Sequence, residues 1–302
     1  MSSMPDIAEA KAAFDRIVLR YPPQEGAIEA LDEVRRSYIG RREGAPCGGA
    51  MMIAPMGSGK TFAVEELATR VKADGDHPAG AQPVLHVVMP TAGTTDSIPT
   101  AILSALGLPR PDLGRADLRW TKAIRGMRSA MVQLVVFDEF NRASRRPTMS
   151  RPIATTIREK IMDAGIAPIA IVGSEEAGTV LKACPELAER LDDRIPLQPL
   201  EWFADEDQAI FVRLLRDLDD AMIAAGLVDG AGLSEEAVAA PLAGGCGGRI
   251  RSLMKIVRIA LGLSMERGAR TIDVVDLEEA VDRFAVAAGF IDRNPFSRKA
   301  GS

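Results

Sequence analysis

Residues 53–62 read IAPMGSGKTF, and the stretch from Pro55 to Thr61 decides how the chain folds. A loop that wraps phosphates is usually written G-x-x-x-x-G-K-[ST]. Gly59, Lys60 and Thr61 match its last three positions, and Ala54 stands where the first glycine belongs. One added methyl group at the end of a strand weakens the match but does not remove the cradle. The flanks supply the context the pattern needs: an apolar strand before it and a helical pattern after it. Gly57 and Gly59 permit unusual backbone angles and close approach to a ligand. Consecutive backbone N–H groups and the start of the next helix then attract phosphate. On this reading Pro55, Met56, Gly57, Ser58 and Gly59 form the cradle of a nucleotide site. Lys60 reaches the β- and γ-phosphates, and Thr61 ligates Mg²⁺. The competing reading is a glycine-rich turn without a ligand.

Four further apolar runs lie outward from this loop: Val84 to Met89, Leu134 to Phe137, Ile169 to Val172 and the weaker Ile195 to Leu197. Each is short, bounded by polar or turn residues, and separated from the next by helical spacing. Helices are expected at Thr61 to Val71, with Phe62, Leu67 and Val71 on one side, and at 98–107, 117–130 and 151–164. Such alternation predicts an α/β fold, a parallel sheet flanked by helices. Residues 5–40 also read as helical, through Ile28, Leu31, Val34 and Tyr38. After Trp202 no strand pattern remains. Helices are expected at 205–226, 234–242, 249–266 and 274–288, with Gly244, Gly245, Gly247 and Gly248 breaking the chain before the third. The expected organisation is an N-terminal helical segment at 1–45, an α/β nucleotide-binding core at 46–200, an all-helical domain at 201–288 and a flexible tail at 289–302. That tail carries Arg293, Arg298 and Lys299.

Carboxylates and arginines complete a candidate site. In MVQLVVFDEF an apolar run ends in Asp138 and Glu139. Ligands of a parallel sheet gather at the carboxyl ends of its strands. Asp138 is placed to hold Mg²⁺ beside Thr61, and Glu139 to polarise the attacking water as a general base. In PIAIVGSEEA, Ser174 follows another strand and can touch the γ-phosphate or the water; it also reads as a simple turn residue. In PELAERLDDRIPL, Arg190 is the first choice and Arg194 the second for reaching a neighbouring subunit's γ-phosphate. A surface ion pair of Arg190 with Glu186, Glu189 or Asp193 is an equal alternative. Arg251, or Arg249 in its place, opens a helix of the helical domain and could fold onto the nucleotide; a solvated arginine at a helix start is at least an equal alternative.

Composition narrows the function classes. The chain has 302 residues, is 47% hydrophobic and 26% charged, and carries a net charge of −5 from 37 basic and 42 acidic residues. A mildly acidic total requires that any contact with nucleic acid come from a local basic patch. The three cysteines lie far apart, which argues against zinc and for a reducing compartment. The start MSSMPDIAEAKAAF has no apolar run behind a basic head, and the longest apolar stretch, near Ile166 to Val172, is too short for a bilayer. A cytoplasmic protein with no membrane partner is expected.

A phosphate loop, a strand ending in Asp-Glu, a polar strand end, an arginine and a helical domain, in that order, resemble an AAA+ ATPase. Within that class the chain resembles the TniB/TnsC family of transposition ATPases, relatives of the phage Mu B protein. The stretches that carry the resemblance are YPPQEGAIEALDEV, APMGSGKT, PVLHVVMPTAGTTDSIPTAILSALGLP, LVVFDEFNRAS, IAPIAIVGSEEA and PELAERL, and it runs from about residue 20 to 285. The chain departs from the family at Ala54, where glycine is commoner. It departs again at Asn141–Arg142, in place of a frequent His or Asp, and at Arg251, where glycine is often found. The resemblance implies an AAA+ P-loop core with a C-terminal helical lid, and homo-oligomers assembled with ATP on double-stranded DNA as a helical filament or ring. It also implies recruitment or activation of a transposase, a target-selection protein as partner, and disassembly on ATP hydrolysis.

Two basic tracts could meet DNA phosphates. One holds Arg115, Arg119, Lys122, Arg125 and Arg128; the other holds Arg142, Arg145, Arg146, Arg151, Arg158 and Lys160. Such residues neutralise phosphate without reading bases. Neither tract is rich in aromatics, so stacking on single strands is not suggested. By resemblance to family loops that line a central channel, Thr94, Thr95 and Arg115 are favoured, with Arg119, Arg142, Arg145 and Arg146 next. Solvated helix faces are the plainer reading. Two other function classes stand beside this one: a DNA-independent AAA+ chaperone or signalling scaffold, and a small-molecule P-loop kinase.

Overall fold

The structure, a computed structural model, describes residues 6–42, 44–75, 77–91 and 93–297. Arg298 and Lys299 of the expected tail lie outside the described residues. The chain divides into two compact units. One is Pro23–Gln198; the other combines the stretch up to Pro22 with the chain from Pro199 onward. No helix among the described residues is long and apolar enough to cross a membrane.

The first unit is built on five parallel strands: β1 (Gly49–Ile53), β2 (Val84–Val88), β3 (Leu134–Asp138), β4 (Ile169–Gly173) and β5 (Leu191–Arg194). Their order across the sheet is β2-β3-β4-β1-β5. β3 and β4 are buried at every residue, as expected of parallel strands covered on both faces. Helices α2 (Pro22–Ser37) and α3 (Lys60–Ala73) cover one face through Ile28, Leu31, Val64 and Leu67. The other face packs against α4 (Ser97–Ala105), α5 (Ala116–Ser129), α6 (Pro147–Ile157) and α7 (Glu175–Ala183) through Ile102, Met127, Ile153 and Val180. A four-residue helix, α8 (Pro185–Ala188), leads into β5.

Two expectations change here. The fifth strand begins at Leu191, not at Ile195. It is an edge strand paired only to β1, so Asp192, Asp193 and Arg194 can face solvent and no apolar run marks it. The Ile195 N–H continues the pairing to Met51 O at 2.8 Å, and Ile195 and Leu197 are buried beyond the strand. Phe62 is exposed, unlike Leu67 and Val71. Five residues of α-helix turn through about 500°, so positions 62 and 67 cannot share a face.

β1 and β4 approach each other closely. Gly49 pairs with Ile169, and a Cβ on Gly49 would stand 2.2 Å from the Ile169 carbonyl oxygen. Neither backbone can retreat without parting the two central strands. Gly49→Ala is therefore expected to destabilise the first unit by about 3 kcal/mol. Thermal unfolding should show a midpoint lower by roughly 6–12 °C. An unchanged midpoint would show that the sheet absorbs the methyl group.

The second unit is helical. It contains α1 (Ile7–Phe14), α9 (Asp205–Ala224), α10 (Glu236–Cys246), α11 (Ile250–Glu266) and α12 (Val274–Val281), the last running on through a wider turn to Val286. Ala10 and Phe14 of α1 join a core with Leu214, Leu218, Ile256 and Leu261. Gly244 and Gly245 do not break the chain; α10 passes through both and ends at Gly247, whose φ is 57°. A Cβ on Gly245 would lie 3.0 Å from Val281, so the missing side chain lets α10 and α12 close together.

Candidate nucleotide site

The loop after β1 is pinned at both ends. The Ala54 N–H donates to Gly173 O at the end of β4, 3.1 Å away, and Ala54 itself is buried. The alanine at the first motif position is thus absorbed into the sheet. Gly57 and Gly59 sit at φ 87° and 89°, the left-handed region that favours glycine. Ser58 is buried and donates from Oγ to Pro55 O at 3.0 Å. Gly59 precedes α3, and its carbonyl accepts the Ala63 N–H at 3.0 Å and Gln24 Nε2 at 3.2 Å. The loop therefore leads straight into a helix N-terminus.

Lys60 lies across this loop, its Nζ donating to Ala54 O and Pro55 O, both at 2.7 Å. Burial lowers its pKa, opposed by the charges of Asp138, Glu139 and Glu176. A desolvated ammonium on neutral carbonyls, beside a helix N-terminus, suits a polyanion.

Asp138 ends β3 and is only 2% exposed. Its Oδ2 accepts Thr61 Oγ1 at 2.8 Å and contacts His86 Nε2 at 3.1 Å; its Oδ1 accepts the Glu139 N–H at 2.7 Å. Burial alone would raise its pKa, but the hydrogen bonds from His86, Thr61 and Glu139 outweigh it and hold the carboxyl below the usual range. Asp138 is thus ionised at neutral pH, with a hydroxyl oxygen beside it. Hard oxygen donors of this kind fit Mg²⁺.

Glu139 follows in the left-handed region at φ 57°, rare for a residue with a side chain. Its side chain is 42% exposed, so water can reach it. Ser174 caps the carboxyl end of β4; its N–H donates to Asn141 Oδ1 at 3.4 Å, and its hydroxyl donates to Glu176. That contact lowers the pKa of Glu176.

The first unit thus brings together Pro55 to Thr61, Asp138, Glu139 and Ser174. Arg190 is ion-paired, but with Asp163 at 3.2 Å, not with any of the three expected acids. Glu186 pairs instead with Arg151 at 3.1 Å. Arg194 is exposed on β5. Arg251 is exposed in the first turn of α11, in the helical unit. Arg249 donates from Nε to Cys246 O at 3.3 Å.

Of the residues considered for DNA, Arg115 is 86% exposed, and Arg145 and Arg146 are also exposed. Thr94 and Thr95 are half-buried in the loop before α4, and the Thr94 N–H donates to Ser97 Oγ at 3.0 Å. Arg119 and Arg142 differ from the exposed set. Arg119 Nη1 donates to Thr100 Oγ1 at 2.7 Å and its Nε is buried; Arg142 Nη1 donates to Met89 O at 2.8 Å.

Four residues touching this site were missed by the sequence reading: Gln24, His86, Asn141 and Glu176. His86 left a signal, as the one polar residue inside VLHVV.

A family model described as "Bacterial TniB protein" matches residues 16–201. The chain belongs to the TniB family. The TniB match spans α2 to β5 and takes in every site residue named above except Arg249 and Arg251. Comparison with curated proteins finds no match. Solved structures similar to this TniB chain include the ORC1 protein of Aeropyrum pernix in complex with DNA. That likeness has 16% identity and a TM-score of 0.62, covering 93% of this chain and 72% of that one. The ORC2 protein of the same organism, in ADPNP–ADP complexes, gives 15% identity, a TM-score of 0.60 and coverage of 90% and 70%. The Thermotoga maritima RuvB Holliday junction branch migration motor gives 15% identity, a TM-score of 0.50 and coverage of 90% and 72%. At such identities the likeness establishes the fold, that of the AAA+ proteins.

Proposed function

We propose that this TniB protein is an ATP-hydrolysing switch that assembles on double-stranded DNA during transposition. The observation that carries the reading is the junction of Thr61, Asp138 and Glu139 beside the Lys60 loop. Phosphate binding there draws on the loop N–H groups, the start of α3 and the Lys60 ammonium. Thr61 and Asp138 would hold Mg²⁺, which would neutralise charge on the phosphates. Glu139 takes the proton of a water that attacks the γ-phosphorus as the bond to the ADP oxygen breaks. Ser174 hydrogen-bonds the γ-phosphate or that water. Arg190, with Arg194 as substitute, is our candidate for offsetting charge on a neighbouring subunit's γ-phosphate, and Arg251 for relaying nucleotide state to the helical unit.

DNA is proposed to lie against Thr94, Thr95, Arg115, Arg145 and Arg146. Family membership and the DNA complex of the similar ORC1 protein support this partner. With a net charge of −5, one subunit offers few phosphate contacts, and a homo-oligomer, as filament or ring, multiplies them on one duplex. The assembly then recruits or activates a transposase, together with a target-selection protein, and hydrolysis disperses it. Duplex affinity measured at fixed moderate salt tests the switch. Binding is expected to be weak without nucleotide and at least about a hundredfold tighter with a non-hydrolysable ATP analogue. Electron microscopy of the same samples should show filaments or rings only when both are present. Equal affinity in the two states, or assemblies indifferent to DNA, would favour a DNA-independent scaffold.

A further inference from the structure

One carboxylate of the first unit stands between two guanidiniums. Asp163 Oδ1 lies 3.2 Å from Arg190 Nη2, and Asp163 Oδ2 lies 3.6 Å from Arg158 Nε. Backbone geometry makes the cluster. α6 runs on into a π-helical turn, Arg158–Asp163. On an α-helix five residues turn through about 500°, which would set positions 158 and 163 on different faces. The i→i+5 bonding of a π-turn stacks them instead. The end of this turn is anchored to the entry of β1: Met162 O accepts the Cys47 N–H at 2.9 Å, and a Cβ on Gly165 would stand 2.6 Å from the Gly44 carbonyl carbon. Asp163 therefore projects from a fixed backbone. The bonding around it is incomplete. Arg158 Nη2 donates to Glu159 Oε1 at 3.4 Å, but Arg158 Nε and Asp163 Oδ1 are buried without a hydrogen-bond partner among the described residues. Arg190 keeps 42% of its side chain exposed.

The cluster lies at the amino ends of the strands. Arg190 immediately precedes β5, and a Cβ on Gly48 would stand 3.3 Å from its carbonyl oxygen. The phosphate loop leaves the other end of β1, and the extended chain from Gly48 to Ala54 covers about 20 Å. Arg190 is thus rooted too far from its own subunit's loop to serve it, and its exposed guanidinium is open to a second copy of the chain. A long side chain in solvent samples many rotamers, and an ion pair with a fixed carboxylate selects few of them. We infer that Asp163 is a positioning residue that aims Arg190 across the subunit interface, a role that rests on the reading of Arg190 as the cation for a neighbour's γ-phosphate. Passing Arg190 from Asp163 to phosphate would strand a partly buried carboxylate, which is costly. Arg158 prevents this, because its unpartnered Nε lies beside the same carboxylate and closes on it as Arg190 swings out.

The test is steady-state ATP hydrolysis by assemblies on duplex DNA, with ATP-analogue affinity measured beside it. Arg190→Ala should lower kcat by about a thousandfold or more. Asp163→Asn keeps the shape of the side chain and is expected to lower kcat roughly 10- to 100-fold with analogue affinity unchanged, because the arginine is present but misdirected. Mixed assemblies show on which side of the interface the loss falls. Glu139→Gln subunits, slow at their own sites, should restore hydrolysis to Arg190→Ala subunits by lending them Arg190. Adding Asp163→Asn to the lending subunit should cut that rescue roughly 10- to 100-fold. Adding it to the receiving subunit should change nothing. Arg158→Gln on the lending subunit should also cut the rescue, and full rescue there overturns the part given to Arg158 alone. Equal loss on both sides makes Asp163 a structural residue and overturns its positioning role, as does wild-type kcat in Asp163→Asn. Wild-type kcat in Arg190→Ala, or no rescue by Glu139→Gln, overturns the reading of Arg190 and the role of Asp163 with it.

Discussion

Glu139→Gln is expected to bind ATP as the wild type does and to hydrolyse it about 10²- to 10⁴-fold more slowly, the range a positioned general base contributes. The amide keeps the size of the side chain and can still meet Asn141 and Arg142, so little of the local structure should change. What it loses is the ability to take a proton. The proposed binding machinery lies elsewhere, in Lys60, the loop N–H groups and the pair formed by Thr61 and Asp138. Affinity and turnover should therefore separate: unchanged binding of a fluorescent ATP analogue, and a phosphate-release rate near the background. If hydrolysis disperses the assembly, the same variant should stay on duplex DNA after free protein is removed, while the wild type leaves. Wild-type phosphate release would take Glu139 out of its role.

The parts of this site that the sequence showed are those bound to a continuous backbone pattern. Pro55 to Thr61 lie between an apolar strand and a helix, and Asp138–Glu139 close an apolar run, so position along the chain gave position in the sheet. The hidden parts are contacts between segments far apart in sequence. His86 on Asp138 joins residues 52 apart, and Asn141 on Ser174 joins residues 33 apart. β5 escaped notice because edge strands need no apolar face, and its Asp192, Asp193 and Arg194 look like loop. Gly244 and Gly245 misled because glycine most often ends a helix, whereas here it provides clearance for Val281. Arginine tracts gave composition without direction. Arg115 and Arg119 share the tract RADLRW, yet one is exposed and the other bonds Thr100.

Lys60→Ala separates nucleotide binding from everything that follows it. Among the described residues the ammonium has no carboxylate within bonding distance; its two hydrogen bonds go to the neutral Ala54 and Pro55 carbonyls. Burial disfavours its charge. The fold alone thus gains little from this cation, and a bound triphosphate gains much, since charge-assisted contacts in a desolvated site are the strong ones. For the wild type, Mg-ATP at about 100 times its Kd should stabilise the fold by about 2.7 kcal/mol. That corresponds to a rise of roughly 5–11 °C in the unfolding midpoint of a unit this size. Lys60→Ala should unfold within a few degrees of the nucleotide-free wild type and show no rise at the same ATP concentration. The two halves of this expectation fail differently. A variant that unfolds far earlier without nucleotide would make Lys60 a structural residue, with its two carbonyl contacts holding the loop. A variant that keeps the full ATP-dependent rise would leave the loop N–H groups as sufficient for binding and remove Lys60 from the phosphates.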